Sequence, residues 1–167
     1  DICQTNHIPS LHILFGSPHD LQACEQAGLL QRDQVQFHWQ NQGWRDFDDF
    51  LASLTQEKRK KIRQERRKVA DAGVTFRAVR GPDMTEGDWA LLLRCYQQTY
   101  WEHGNPPYLT PAFFEAMRTD MAAHWLLFVA EHAGQPIGIS LIGLHLGAQG
   151  QPEVAYGRYW GALARVD

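Results

Sequence analysis

The sequence has few of the residues and motifs that mark secreted, metal-binding or membrane proteins. Its three cysteines, Cys3, Cys24 and Cys95, lie far apart and form no CxxC pair. This favours reduced thiols and a cytoplasmic protein over a disulfide framework. The eight histidines show neither an HExxH motif nor paired ligand spacing, so no metal site is predicted. The longest purely apolar run, Trp125 to Ala130, is far too short to cross a bilayer.

The opening residues do not predict a leader sequence. The opening residues Asp-Ile-Cys-Gln lack both a basic start and an apolar segment. There is no initiator methionine, so we expect a fragment of a longer protein. The length of 167 residues, with 44% hydrophobic and 21% charged residues, is that of one ordinary globular domain.

Half of the basic residues lie in one short segment, although the net charge of the chain is −3. Eight of the sixteen are Lys58, Arg59, Lys60, Lys61, Arg63, Arg66, Arg67 and Lys68. Such a cluster creates a local electropositive surface. It indicates either a solvated helix face or a site for a polyanion such as tRNA, a phosphate-bearing cofactor or an acidic partner. The segment has no aromatic residue for base stacking, so only non-specific phosphate contacts are predicted.

The first part of the chain shows two strand patterns and three helix patterns. Residues 11–15 form a short apolar run, and residues 29–39 alternate apolar with polar side chains, so both predict strands. We expect Asp20 to cap a short helix between them. The i, i+3, i+4, i+7 spacing from Phe47 to Leu54 predicts another helix. Thr55 is then expected to cap the basic helix, which ends near Gly73.

From Val74 onward the patterns predict the order β-α-α-β-β-β. The strands are expected at 74–79, 125–131, 137–144 and 153–160. A capping box at Thr85 and Asp88 begins one helix, and Thr110-Pro111 begins the next. The inward face of that second helix is predicted to carry Phe113, Phe114, Met117 and Met121. The fold class is therefore α/β of the α+β kind, with a mixed, mostly antiparallel sheet and flanking helices.

The last strand has an unusual composition for a simple core strand. Alternation predicts that Tyr156, Arg158 and Trp160 share one face and that Tyr159 takes the other. Glycines at 157 and 161 would leave the backbone accessible to a ligand. The segment is then either a substrate groove or an aromatic core strand with one arginine reaching solvent.

Two other places offer side chains for chemistry. Glu131 ends a strongly apolar strand, where a desolvated carboxylate can act as a base; the alternative is an ordinary solvent-facing acid at a strand end. His103 and Tyr108 lie in a proline-rich loop, which two prolines exclude from any helix. Loops carry binding residues more often than their share of the chain.

Four segments in the same order carry a resemblance to a known family. They are Gln-Phe-His-Trp-Gln-Asn at 36–41, Phe-Asp-Asp-Phe-Leu at 47–51, Lys-Arg-Lys at 58–60 with Arg-Gln-Glu-Arg at 63–66, and Tyr-Gly-Arg-Tyr-Trp-Gly at 156–161. Over nearly all of residues 10–161 the sequence resembles the bacterial FemAB-like predicted N-acyltransferases. Those proteins are similar to the Fem-type peptidoglycan aminoacyltransferases, which carry two GNAT-like domains in tandem.

The resemblance implies three parts in this chain. Residues 1–44 would be the end of a first GNAT-like half-domain, 45–73 basic bridging helices, and 74–167 the first half of a second GNAT-like domain. We expect the two half-sheets to pack on one another or on a second copy, since open strand edges invite aggregation. A homo-oligomer is therefore among the expected states.

The resemblance also implies an enzyme. It would move an acyl or aminoacyl group from acyl-CoA or aminoacyl-tRNA to a small-molecule or peptide amine, a reaction that needs a base and carbonyl-polarising donors. Catalysis is assigned to Glu131 and Tyr159, and substrate binding to Tyr156, Arg158, Trp160, His103 and Tyr108. No glycine-rich turn opens a helix after the last strand, so a complete donor phosphate site is not expected in this chain.

Two rival interpretations remain open at the level of sequence. The chain can be a binding module that has lost catalysis and holds nucleic acid or an acidic partner on the basic helix. Alternatively, the basic segment is a solubilising linker between two half-domains.

Overall fold

A computed structural model describes residues 2–166, apart from the side chain of Ile2. The chain divides into two compact units, Asp1–Arg45 and Asp46–Asp167, which are described separately. The helices Phe47–Ser53 and Gln56–Asp71 therefore belong to the same unit as the residues that follow them. None of the helices in the described part of the chain combines the length and the apolar character that crossing a membrane requires.

The first unit contains two helices, α1 (Ile2–Thr5) and α2 (Pro18–Gln26). The predicted short helix is confirmed as α2, but its N-cap is Ser17 and not Asp20. Ser17 accepts a hydrogen bond from the Asp20 backbone, and the Asp20 carboxylate accepts one from the Ser17 backbone at 2.9 Å. This reciprocal capping box satisfies two amide donors that would otherwise be unpaired. The Ser17 hydroxyl also donates to the Asp20 carboxylate at 2.7 Å, and this hydrogen bond, followed by the one from the Ser17 backbone, holds the pKa of Asp20 below its usual value.

The two strands predicted in this unit are wrong. Residues 11–15 and 29–39 form no strand, and Phe37, at the centre of the second alternating pattern, is 97% exposed. Strand propensity measures how well side chains fit a pleated, half-buried surface. Among the described residues of the first unit there is no neighbouring strand to pair with these segments, so the pattern alone does not produce a strand.

The second unit begins with α3 (Phe47–Ser53) and α4 (Gln56–Asp71). Asp46 caps the first helix and Thr55 caps the second, each by accepting a backbone hydrogen bond. Gly73, with φ of +74°, follows the C-terminal end of α4, where a left-handed residue favours glycine. The predicted cap of the basic helix and its end are thus confirmed.

The rest of the second unit follows the predicted order. Its elements are β1 (Val74–Arg80), α5 (Glu86–Glu102), α6 (Pro111–Asp120), β2 (Trp125–His132), β3 (Gln135–Leu146) and β4 (Pro152–Ala162). The strands form one sheet in the order β1-β2-β3-β4, and every neighbouring pair is antiparallel. The capping box of Thr85 with Asp88 and the Thr110 cap are confirmed. The α+β class is therefore correct.

One face of the sheet packs against α5 and α6 to form the core. The buried residues of the strands alternate with less buried ones, as period-two geometry requires; Leu127, Val129, Ile139 and Leu141 are examples. The two helices add Leu92, Cys95, Tyr96, Phe114 and Met117 to the core. Each large apolar side chain buried here stabilises the fold by about 1.5–3 kcal/mol. Phe113 and Met121, predicted to face inward, are instead exposed, because only the α6 face that carries Phe114 and Met117 meets the core.

The other face of the sheet is open among the described residues of the second unit. Phe128, Ser140 and Trp160 lie in one row across β2, β3 and β4, on the side away from the buried positions. Trp160 is 71% exposed, and Phe76 on β1 is also exposed.

Candidate functional site

A β-bulge in β4 sets the directions of the side chains near its end. Leu141 pairs with Tyr159 and Ile142 pairs with Gly157, so Arg158 is an extra residue on β4. A bulge interrupts the ladder and redirects side chains. The Arg158 guanidinium lies over the Tyr159 ring, 5.7 Å from its centroid. The prediction that Arg158 and Tyr159 point to opposite faces is therefore wrong.

The register shows which side each β4 residue takes. Tyr156 pairs with Gly143 and Tyr159 pairs with Leu141, so both lie on the face that carries α5. A Cβ placed on Gly143 would be 3.5 Å from Arg158 Cγ and 3.9 Å from Tyr156 Cβ, which puts the Arg158 stem on that face too. Trp160 lies on the open face. The structure thus brings together Tyr156, Arg158 and Tyr159, and it separates Trp160 from them.

Tyr159 belongs to a cluster of four tyrosines. The Tyr96 ring lies 4.7 Å from Tyr100, 6.3 Å from Tyr108 and 5.3 Å from Tyr159, between centroids. The Tyr100 and Tyr108 rings are 5.4 Å apart and nearly perpendicular. Such edge-to-face pairs stabilise beyond simple burial, by about 0.5–1.5 kcal/mol each. We call these residues and Arg158 the tyrosine cluster.

Two members of the tyrosine cluster were missed at the sequence level. Tyr96 and Tyr100 are four residues apart on α5, a spacing that is typical of the buried face of a helix. Tyr96 is indeed buried, and Tyr100 is half-buried. The sequence feature that could have identified both residues is the repeated tyrosine on one helix face. A core made only for packing would use apolar residues, because buried hydroxyl groups need hydrogen-bond partners.

The surroundings of two phenols raise their pKa values. The neighbouring Tyr108 phenol, followed by burial, raises the pKa of Tyr100 to about 12. Burial, followed by the Tyr108 phenol, also raises the pKa of Tyr159, while nearby Arg158 acts in the opposite direction. Two protonated phenols beside the Arg158 cation are a combination that can polarise a carbonyl or hold an anion.

Helix α5 is held tightly against β4 next to the cluster. The Thr99 hydroxyl donates to the Trp160 carbonyl at 3.3 Å. A Cβ on Gly161 would lie 2.7 Å from the Cys95 carbonyl oxygen and 2.8 Å from Thr99 Oγ1. The prediction that Gly161 leaves its backbone open to a ligand is wrong, because α5 occupies that space. At Gly157 no atom lies within 4 Å of the corresponding position, so this part of the backbone is accessible.

The loop between α5 and α6 contributes Tyr108 to the cluster. His103, predicted to bind substrate from the same loop, is exposed, and its Nδ1–H donates to the Thr99 carbonyl at 2.7 Å. His103 therefore lies at the C-terminal end of α5. Tyr108 is 66% exposed, so the cluster is open to solvent on this side.

Glu131 lies in a different part of the sheet. Its Oε1 accepts a hydrogen bond from Arg77 Nε at 2.9 Å, and Arg77 also pairs with buried Asp88. Burial acts to raise the pKa of Asp88, but the hydrogen bonds from Arg77 and Thr85 together lower it. Arg77 thus ties β1 to both α5 and β2. Glu131 and Tyr159 are not brought together, and the role of Glu131 as a base stays a prediction.

The basic residues of α4 fall into two groups. Three arginines contact α3: Arg59 donates to the Ala52 carbonyl at 3.0 Å, Arg63 lies 3.8 Å from Asp48, and Arg66 lies over the Phe47 ring at 4.6 Å. Lys61 is 4.0 Å from Glu65. Within the part of the chain that the structure describes, no ion pair involves the remaining four, Lys58, Lys60, Arg67 and Lys68.

Two cavities adjoin these elements. A groove of about 620 Å³ runs along one face of α4 and is lined by Gln56, Arg59, Lys60, Arg63, Gln64 and Arg67. A smaller cavity of about 230 Å³ lies between α5 and α6, next to Trp89 and Phe114. Typical ligand sites enclose about 300–1,000 Å³. The volume of the α4 groove is in this range, but its lining belongs to one face of a single helix, so the groove is an open surface; the smaller cavity is below the range.

Residues 2–166 contain no group of three or more His, Cys, Asp or Glu side chains placed to hold a metal ion.

Comparison with known proteins identifies a family across the full length of the chain. The model of the FemAB-like family, described as peptidoglycan biosynthesis/recognition, matches residues 1–167. No curated protein matches the sequence.

Proposed function

Because the chain belongs to the FemAB-like family, we propose that it takes part in the transfer of an acyl or aminoacyl group to an amine. The donor class is acyl-CoA or aminoacyl-tRNA, and the acceptor is a small-molecule or peptide amine. The observation that supports this proposal is the tyrosine cluster, in which phenol donors and the Arg158 guanidinium lie together at the bulge of β4.

The chemistry assigns separate tasks to the cation and to the phenols. Arg158 presents a planar fork that binds a carboxylate or phosphate group at two points. The phenol of Tyr159 donates to the carbonyl oxygen, which gains negative charge as the amine nitrogen attacks the carbonyl carbon. The new C–N bond forms as the ester or thioester bond of the donor breaks.

The phenol chain can also carry the proton. The attacking amine loses one proton and the leaving alkoxide or thiolate gains one. We propose that a proton passes among the phenols of Tyr100, Tyr108 and Tyr159 and leaves each phenol protonated at the end, since their rings pack together around Tyr96. This route needs no carboxylate base and no metal.

Activity measurements on single variants test the proposal. Purified protein is incubated with aminoacyl-tRNA or acyl-CoA and an amine, and transfer of the labelled acyl group is measured. Tyr159→Phe and Arg158→Lys should each lower transfer by at least tenfold while the protein remains folded. Removal of a single oxyanion donor typically costs about 10²–10³ in kcat.

Phe76→Tyr, on the open face of the sheet, is the matched control and should keep wild-type activity. Unchanged activity in both cluster variants would refute the assignment.

The α4 groove supports a second candidate, a binding module for nucleic acid or another polyanion. Among the described residues, Lys58, Lys60, Arg67 and Lys68 of the same helix neither form an ion pair nor make one of the contacts to α3 given above, and phosphate binding by such cations depends steeply on salt. The two functions are compatible in an enzyme that uses aminoacyl-tRNA. A chain that binds polyanions but transfers no acyl group from either donor would favour the binding module.

A further inference from the structure

The loop from His103 to Thr110 carries Tyr108 but has little backbone pairing of its own. Gly104, with φ of +72°, turns the chain out of α5, and the Asn105 amide donates to the Tyr100 carbonyl at 3.0 Å. Two prolines follow, and they have no amide hydrogen to donate. The segment that positions Tyr108 therefore depends on contacts beyond the start of the loop.

A buried hydroxyl supplies two of those contacts, in addition to the packing of Leu109 against the core. The backbone amides of Tyr108 and Leu109 both donate to the Tyr96 hydroxyl, at 3.2 Å and 2.9 Å. Tyr96 is only 2% exposed, and its ring is fixed by packing against Tyr159 and Phe114 on either side. The acceptor is thus held rigidly by the core, whereas the two donors belong to a loop.

We propose that Tyr96 is a positioning residue: its hydroxyl anchors the loop at two consecutive amides and thereby holds the Tyr108 ring against Tyr100. Tyr96 itself need not touch the substrate. Loss of its hydroxyl would loosen the loop, let the Tyr108 and Tyr100 rings separate and leave the buried ring packing intact. The kinetic consequence rests on the proposed function, whereas the structural consequence does not.

Hydrogen exchange measures the anchor directly. In wild-type protein the Tyr108 and Leu109 amides should be protected, despite their place in a loop. In Tyr96→Phe, which keeps the ring and removes only the oxygen, exchange of these two amides should accelerate about five- to tenfold, as expected for one lost hydrogen bond each. Tyr156→Phe, the same change on exposed β4, should leave both rates unchanged. Unprotected amides in the wild type would overturn the proposal even if Tyr96→Phe fails to fold.

Titration of the Tyr100 phenol distinguishes a positioning role of Tyr96 from a purely structural role. In folded Tyr96→Phe the pKa of Tyr100 should move from about 12 toward the usual tyrosine value near 10. A purely structural role would lower the unfolding midpoint and leave this pKa unchanged in the folded protein, and that result would overturn the proposal.

Kinetics then test the connection to transfer. If the wild type is active, Tyr96→Phe should lower kcat about tenfold or more with little change in KM for the amine. An inactive wild type would count against the proposed function, while the exchange and titration results would still decide the role of Tyr96.

Discussion

Replacing Gly161 with alanine tests how closely α5 packs on β4. The new Cβ would lie 2.7 Å from the Cys95 carbonyl oxygen, 2.8 Å from Thr99 Oγ1 and 3.0 Å from the Cys95 carbonyl carbon. Ordinary van der Waals contact starts at 3.4 Å, so α5 must move away by roughly 0.7 Å. The Thr99 side chain can rotate, but the backbone of a helix cannot yield without shifting the whole element.

The expected cost is that of overpacking a core. Inserted methyl groups cost about 1–3 kcal/mol, and Gly161→Ala should lie near the upper end because two of its close contacts are to backbone atoms. For a chain of this length that corresponds to a decrease in Tm of about 4–12 °C. Thermal unfolding followed by circular dichroism measures it, with chemical denaturation to confirm that the slope of the transition is unchanged.

Gly157→Ala is the matched control. It lies on the same strand, and nothing is within 4 Å of its Cβ position. Alanine there should be neutral or slightly stabilising, because glycine loses more backbone entropy on folding. If the Tm of Gly161→Ala equals that of the wild type, α5 does not approach β4 as closely as described. The tyrosine cluster, which depends on that approach, would then lose its support.

Three further predictions concern charge and ionisation. Changing the four α4 cations that neither form an ion pair nor contact α3 to glutamine should weaken heparin or tRNA binding and flatten its salt dependence; the four are Lys58, Lys60, Arg67 and Lys68. Arg59→Gln should mainly loosen α3. The pKa of Asp88 is lowered in the folded state, so the ionised carboxylate stabilises the fold above about pH 3.9 and this contribution is lost as the pH falls further. The free energy of unfolding of Asp88→Asn, measured against pH, should therefore decrease less in acid than that of the wild type. The pKa of Tyr100 is raised in the folded state, so the free energy of unfolding should fall between about pH 10 and 12. Urea midpoints measured across this range should fall less in Tyr108→Phe than in the wild type.

Local sequence signals predicted the second unit well. Each helix there has a cap that is readable from a few adjacent residues, such as Thr85 with Asp88, and each strand of the sheet has its partner within the same unit. Residues 29–39 show the opposite case. Their alternation is as regular as that of β1, but a strand requires a neighbour, and a local pattern carries no information about whether that neighbour is present.

The candidate site was predictable only in part, for a geometric reason. Tyr108, Arg158 and Tyr159 could be selected from their residue types and surroundings, and the structure places them together. The face of Trp160 relative to Arg158 could not be predicted, because it depends on one extra residue in β4 that the sequence does not mark. The ion pair between Arg77 and Glu131 could not be predicted either, because the two residues are 54 positions apart and neither local sequence pattern indicates the other.

The bulge at Arg158 also changes how many side chains a short length of strand can present. In a regular strand, any four consecutive residues place two side chains on each face. From Tyr156 to Tyr159, β4 directs three toward α5, because the extra residue repeats a direction and does not reverse it. A guanidinium and two phenols are thus concentrated at one sheet edge, a density of polar groups that uninterrupted pleating does not allow.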